Sequence, residues 1–154
     1  MNEDQKKAAE KAMHLLLHKD RTEQELTSRL HQAGFSDEAV AYAITYVKGY
    51  GYIDDLRYAS SFISLHKTGM SRRQLTQKLK ERGVSAETLA EAFASYETEE
   101  DDDPEGQALN DLLAKRLKGR DVSELTWEEK QKQMRYLVGK GYPLDRVRKL
   151  LDAR

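Results

Sequence analysis

The residues most suggestive of chemistry lie in the stretch GYIDDLRYA, residues 51–59, where Asp54 and Asp55 stand side by side ahead of Arg57. Adjacent carboxylates beside a guanidinium could form an acid–base pair, hold a cation, meet a partner, or simply start a helix. An acid–base or metal site needs carboxylates converging from several segments, and nothing else in the sequence converges on these two. The helical reading accounts for them directly. Asp54 follows a glycine turn and serves as N-cap, and Asp55 in the first turn suits the positive end of the helix dipole. Ala59, Phe62, Ile63 and His66 share one helical face, which leaves Arg57 directed towards solvent or a neighbouring unit. His14 and His18, at i and i+4, could chelate a metal. Without a HExxH pattern or a third ligand, they read as a solvated or core-edge pair. The glycines occur singly at helix ends, so there is no phosphate-cradling loop, and no Gly-x-Ser-x-Gly elbow is present. The chain has no cysteine, which excludes disulfides, thiolate metal sites and cysteine nucleophiles. The sequence supports no enzyme, cofactor or metal.

The cations carry more information. In the helix expected from Ser71 to Arg82, Leu75 and Leu79 point inwards while Arg73 and Lys80 share the opposite face, flanked by Arg72, Lys78 and Arg82. Lys115, Arg116, Lys118 and Arg120 cluster at the end of a later helix. Lys130, Lys132, Arg135 and Lys140 lie on the next, and Arg146, Arg148 and Lys149 follow. Such faces can track a nucleic-acid backbone or an acidic protein groove; the alternative is an ordinary solvated helix surface. Charge along the chain is uneven despite a net charge of −1. Residues 54–96 and 106–154 are net basic, and between them runs ETEEDDDPE, residues 97–105, which is acidic with no compensating base.

The elements that must position these residues emerge from a repeat. Thr22, Leu26, Leu30, Gly34, Phe35, Ser36, Val40 and Ile44 recur as Ser71, Leu75, Leu79, Gly83, Val84, Ser85, Leu89 and Phe93, always 49 positions on (71 − 22 = 49). Leu137, Gly141, Tyr142, Pro143, Val147 and Leu151 repeat the second half 58 positions further (141 − 83 = 58). Each copy reads alike. A hydroxyl caps a helix, with Glu25 completing a capping box in the first copy. Leucines at i and i+4 form the buried stripe, a glycine ends the helix, and Ser36, Ser85 or Pro143 begins the next. An earlier helix precedes each copy: Ala12, Leu15 and Leu16 match Ala59, Phe62 and Ile63, with Leu109, Leu112 and Leu113 equivalent.

The spacing therefore predicts an all-α chain of three tandem three-helix repeats, 4–50, 54–96 and 105–153, joined by the acidic linker 97–105 and stacked into an elongated, curved module. No alternating strand pattern occurs, and strong helix formers dominate with only two prolines. No apolar run reaches the roughly 20 residues of a membrane span, and the charged start MNEDQKKAAEKA lacks a signal-peptide core. A cytoplasmic monomer is expected. The third repeat departs from the others, since LKGRDVSELTWEEKQKQ lengthens its first connection and replaces upstream leucines with polar residues. Trp127 is read as packing into that gap, with exposure as a contact residue the alternative.

Three stretches together resemble the RecX regulatory proteins of bacterial recombination. They are AMHLLLHKDRTEQELTSRLHQAGF, the signature GYIDDLRYA, and the glycine-ended RQLTQKLKERGV. The likeness covers residues 8–96 well and the third repeat mainly through RYLVGKGYPLDRVRKLL. It implies three tandem three-helix repeats, no catalysis, and binding to the RecA recombinase on single-stranded DNA with damping of ATP hydrolysis and strand exchange. Recombination, DNA repair and the SOS response would be affected, with weak direct DNA binding. The family signature carries over onto Gly51, Tyr52, Ile53, Asp54, Asp55, Arg57, Tyr58 and Ala59, at the joint between the first two repeats. Arg57 and Tyr58 are expected there to be available to a neighbour or partner. The acidic strap departs from the family pattern. Two other classes remain open: a helical DNA-binding module acting without RecA, and an adaptor with no nucleic-acid role.

Overall fold

The computed structural model describes residues 1–97 and 103–152; most of the acidic strap, residues 98–102, lies outside them. Nine α-helices follow one another among the described residues. They are α1 (Glu3–His18), α2 (Glu23–Gln32), α3 (Asp37–Gly49), α4 (Asp55–His66), α5 (Arg72–Glu81), α6 (Ala86–Glu97), α7 (Pro104–Leu117), α8 (Trp127–Gly139) and α9 (Leu144–Asp152), with a single 3₁₀ turn at Val122–Glu124. They fall into three consecutive three-helix repeats.

Local chemistry sets the helix starts. Thr22 accepts from the Glu25 amide while Glu25 reaches back to the Thr22 amide. Gln74 does the same for Ser71, accepting its amide at 3.1 Å. The capping box read only in the first copy is thus present in the second, with glutamine in place of glutamate. Gly34, Gly83 and Gly141 all take positive φ immediately after the middle helices, where a side chain would be strained.

The fold divides into two compact units, and the boundary runs through the second repeat: Met1–Phe62 with Leu79–Ser95, and Ile63–Lys78 with Tyr96–Arg154. In the first unit α1 packs chiefly against α3. Ala8 and Ala12 on one helix and Ala39 and Ala43 on the other are buried, and these small residues let the backbones approach closely. Leu26, Leu30 and Val47 complete that core. In the second unit Leu109, Leu113, Leu137, Val147 and Leu151 form the core, with Tyr142 as the apolar plug after its glycine.

Trp127 does not pack into the third repeat; it is 72% exposed. Its place explains why. Thr126 caps α8 15 residues before Gly141 (141 − 126 = 15), whereas Thr22 and Ser71 stand 12 before their glycines (34 − 22 = 12). The helix begins almost one turn early, and Trp127 is the first residue of that added turn. Leu125 is buried in the core of this repeat instead, and Val122, Met134 and Tyr136 pack against that core.

Candidate nucleoprotein interface

The signature stretch is built as a joint. Asp54 accepts the Arg57 amide at 3.1 Å and so caps α4. Asp55 reaches further and accepts the amide of Glu23, the first residue of α2, at 2.9 Å. Beside it the Thr22 hydroxyl, fully buried, donates to the carbonyl of Arg82 at the C-terminal end of α5. The positive end of α2 is therefore closed by a carboxylate from the next repeat and by the negative end of that repeat's middle helix. Within the second unit the arrangement recurs with other residues. The Arg72 amide donates to Glu105 in the first turn of α7 at 2.6 Å, and the buried Ser71 hydroxyl donates to the carbonyl of Lys140 at 2.9 Å. The glycines admit this approach: a Cβ on Gly83 would fall inside the side chain of Gln24, and one on Gly141 would lie 2.5 Å from the Ser71 Oγ.

Two consequences follow for the carboxylates. Asp54→Ala removes a cap and should cost about 1 kcal/mol, read as a lower melting temperature with partner binding retained. Burial pushes the Asp55 carboxyl above its ordinary value, against the lowering effect of the Glu23 amide. A raised carboxyl binds its proton more tightly folded than unfolded. Its favourable contribution is thus present below the unfolded value and lost as pH rises through the folded one. Asp55→Asn should therefore gain stability relative to the parent as pH rises from 4 to 7, measured as the difference in melting temperature across that range.

Arg57 turns back onto the chain. Its guanidinium donates to the carbonyls of Gly51 at 2.9 Å and Tyr52 at 3.4 Å, closing the end of α3, with Asp20 3.9 Å away. A helical wheel places the Cβ on the outer face, but the long side chain folds back onto carbonyls that the glycine turn leaves open. Tyr58 accepts from Arg82 at 3.0 Å, and burial pushes its phenol up. Arg82 also covers the Phe62 ring at 4.6 Å. These side chains belong to the joint.

The remaining predicted cations separate by behaviour. In the second unit Arg73 donates to the carbonyls of Val138 and Gly139 at the end of α8. Arg116 lies 3.5 Å over the Tyr136 ring and donates to Gln133. The hydrogen bond from Arg146 holds the Asp103 carboxyl below its usual range. By contrast Lys78, Lys115, Lys118, Lys132 and Arg135 are exposed, and none holds an ion pair among the described residues. In the first unit Lys80 is likewise exposed. Beside the first joint is an open groove of about 810 Å³, but Glu23, Asp54 and Asp55 line it against a single Lys48, which makes it unsuited to phosphate. Among the described residues no group of three or more His, Asp or Glu is placed to hold a metal ion, and no helix is long and apolar enough to cross a membrane.

One feature of the first unit was missed by the repeat comparison. Tyr42, Tyr46, Tyr50 and Tyr52 form a ladder with ring centroids 6.4, 5.1 and 5.7 Å apart. The i, i+4, i+8 spacing in YAITYVKGY was the available signal.

Three family models match in order: the RecX first three-helix domain over residues 8–46, the second over 54–92 and the third over 103–151. The chain belongs to the RecX family. Relatives named Regulatory protein RecX include one from Caldanaerobacter subterraneus subsp. tengcongensis, 29% identical over 96% of this chain and 70% of the relative. One from Bacillus licheniformis is 29% identical over 93% of this chain but only 53% of its own length. One from Vibrio campbellii is 28% identical over 90% and 85%. The chain thus spans from about half to most of the length of these RecX relatives. A crystal structure of RecX from Lactobacillus salivarius shares the fold, with a TM-score of 0.82 over 98% of this chain and 96% of that one at 18% identity. The RecX relatives are named as regulatory proteins, and no catalytic activity is indicated.

Proposed function

We propose that this chain is a regulator that binds the RecA recombinase on single-stranded DNA and damps its ATP hydrolysis and strand exchange, and through them recombination, DNA repair and the SOS response. The observation that supports this reading most directly is the division among the cations of the second unit. Arg73 and Arg116 are tied to carbonyls and a ring, while Lys115, Lys118, Lys132 and Arg135 face solvent without ion pairs. Exposed basic side chains without ion pairs suit a phosphate backbone, and a filament already carrying DNA supplies one. Occupying that backbone would oppose strand exchange without any chemistry by the regulator, and direct binding to naked DNA would be weak.

The test measures RecA-catalysed ATP hydrolysis and strand exchange on single-stranded DNA with the parent chain and with Lys115→Glu/Lys118→Glu/Lys132→Glu. Inhibition by the parent and its loss in the variant support the reading; full inhibition by the variant overturns the assigned surface. A second reading uses the same lysines, as a DNA-binding module indifferent to RecA. It predicts tight, steeply salt-dependent binding to naked DNA and no effect on RecA hydrolysis.

A further inference from the structure

Among the described residues Arg21, in the first unit, is the only charged residue that is buried, with 4% exposure. Its Nε donates to the Leu15 carbonyl at the end of α1 at a long 3.5 Å, and the Lys19 amide shares that acceptor at 3.3 Å. A guanidinium carries five N–H donors in a rigid fork. The four on Nη1 and Nη2 of Arg21 have no acceptor among the described residues, and no carboxylate there pairs with it. Buried polar groups are almost always hydrogen-bonded, and a buried charge without a counter-charge is strongly unfavourable.

The repeats show that the fold needs no cation at this place. Arg21 directly precedes the cap Thr22. The residues directly before the caps Ser71 and Thr126 are Met70, 49 positions on (70 − 21 = 49), and Leu125. An apolar residue before the cap is a common arrangement, because it packs against the helix it introduces. Leu125 is buried in its core and Met70 is partly buried. The first repeat thus sets an arginine in a slot that the same architecture fills elsewhere with a hydrophobe. The carbonyl end of α1 favours a positive charge, which accounts for the Nε contact and leaves the rest of the fork without a role in folding.

The surroundings select the ligand. Arg21 lines a polar cleft of about 360 Å³ together with Lys19, Arg29 and Arg82, and with Glu25 and Glu81. Four cations against two carboxylates leave an excess of two positive charges (4 − 2 = 2). Glu25 already accepts the Thr22 amide, and Arg82 gives Nη1 to Tyr58. A phosphate group bearing about −1.5 to −2 charges and three strong acceptor oxygens matches that excess, and its oxygens suit an arginine fork. A carboxylate would bring a single charge. A nucleic-acid backbone would carry its neighbouring phosphates past Glu25 and Glu81, where like charges repel. We infer that this cleft binds a compact phosphate dianion, free or at the end of a small phosphomonoester, with Nη1 and Nη2 of Arg21 as its central donors and the exposed Lys19 and Arg29 beside them. The site goes beyond the proposed regulation, because it lies in the first unit and takes a small molecule.

The test titrates inorganic phosphate into the isotopically labelled chain, with potassium chloride holding the ionic strength constant. The expected result is saturable shifts of the Arg21 Nε–H signal and of the amides around Lys19, Arg29 and Arg82. At about twenty times the dissociation constant, the melting temperature should rise by about 4–7 °C. Arg21→Met installs the residue found 49 positions on. It should melt no lower than the parent in phosphate-free buffer, since a hydrophobe replaces a buried unpaired charge, and it should lose the phosphate-dependent rise. Arg21→Lys, which keeps the charge and loses the fork, should bind at least tenfold more weakly. Adenosine monophosphate that binds through Arg21 more tightly than phosphate supports the site with a phosphomonoester as its source; equal or weaker binding of it supports the free ion. Non-saturable shifts, a rise retained by Arg21→Met, or an Arg21→Met chain that melts well below the parent without phosphate would each overturn the inference. So would acetate, or an oligothymidylate without terminal phosphates, that shifts the same signals as strongly. RecA is absent from the measurement, so failure of the RecA reading leaves the result standing.

Discussion

Gly141→Ala should cost about 3 kcal/mol of stability, while the same substitution at Gly34 should cost only about 1–2 kcal/mol. Both glycines have positive φ, 105° and 93°, and a side chain in that region costs about 1–2 kcal/mol. The surroundings make the difference. A Cβ at Gly34 meets nothing within 4 Å, whereas at Gly141 it lies 2.5 Å from the Ser71 Oγ and 3.1 Å from the Arg73 Cβ. Ser71 is fully buried, and its hydroxyl has the Lys140 carbonyl as acceptor. Displacing it leaves a buried polar group without that partner, which costs about 1–3 kcal/mol more. For a chain of this size the Gly141 variant should melt about 6–12 °C below the parent. Calorimetry on both variants checks this, and equal losses would show that the joint adds nothing to the backbone strain.

The second large effect concerns the lysines. If Lys115, Lys118 and Lys132 each neutralise a phosphate on single-stranded DNA, reversing all three should lower the slope of log affinity against log salt by about 2, at about 0.7 per contact. Affinity for the RecA–DNA filament at 0.1 M salt should then fall about a hundredfold, read by fluorescence anisotropy across a salt series. Stability should hold, because these side chains are exposed and hold no ion pair among the described residues. Arg73 and Arg116 are left out because each also supports the fold: reversing Arg73 would open the carbonyl end of α8, and reversing Arg116 would lift it from Tyr136. An unchanged slope would move the phosphate contact elsewhere.

Much of the architecture was legible because short-range chemistry sets it. Thr22, Ser71, Gly34, Gly83 and Gly141 announce helix ends by residue type, and the leucine stripes repeat at fixed registers. The joint was legible as a place but not as a set of bonds. Asp55 and Thr22 already had sufficient local roles in capping, so nothing in their spacing revealed that each also bonds across 32 or 60 positions. Arg57 shows the limit of a helical wheel, which fixes where a side chain leaves the backbone but not where its far end finds acceptors. Trp127 was misplaced because its helix starts almost a turn early, an offset visible only once the Thr126 cap is located. The tyrosine ladder lies where the repeats differ, at positions that agreement between copies does not mark.

The joint also decides how such a chain can be taken apart. The bonds that close the first ends of α2 and α5 come from the repeat that follows, so a cut between repeats leaves a buried hydroxyl and a first-turn amide without their acceptors. The first joint ties Thr22 to Arg82 and the second ties Ser71 to Lys140, so the two overlap along the chain between residues 71 and 82, and any single crossover between residues 22 and 140 parts one joint or both. Chimeras between family members should therefore lose stability wherever the crossover falls in that span, because recombining repeats pairs hydroxyls and carboxylates with acceptors and amides that were never matched.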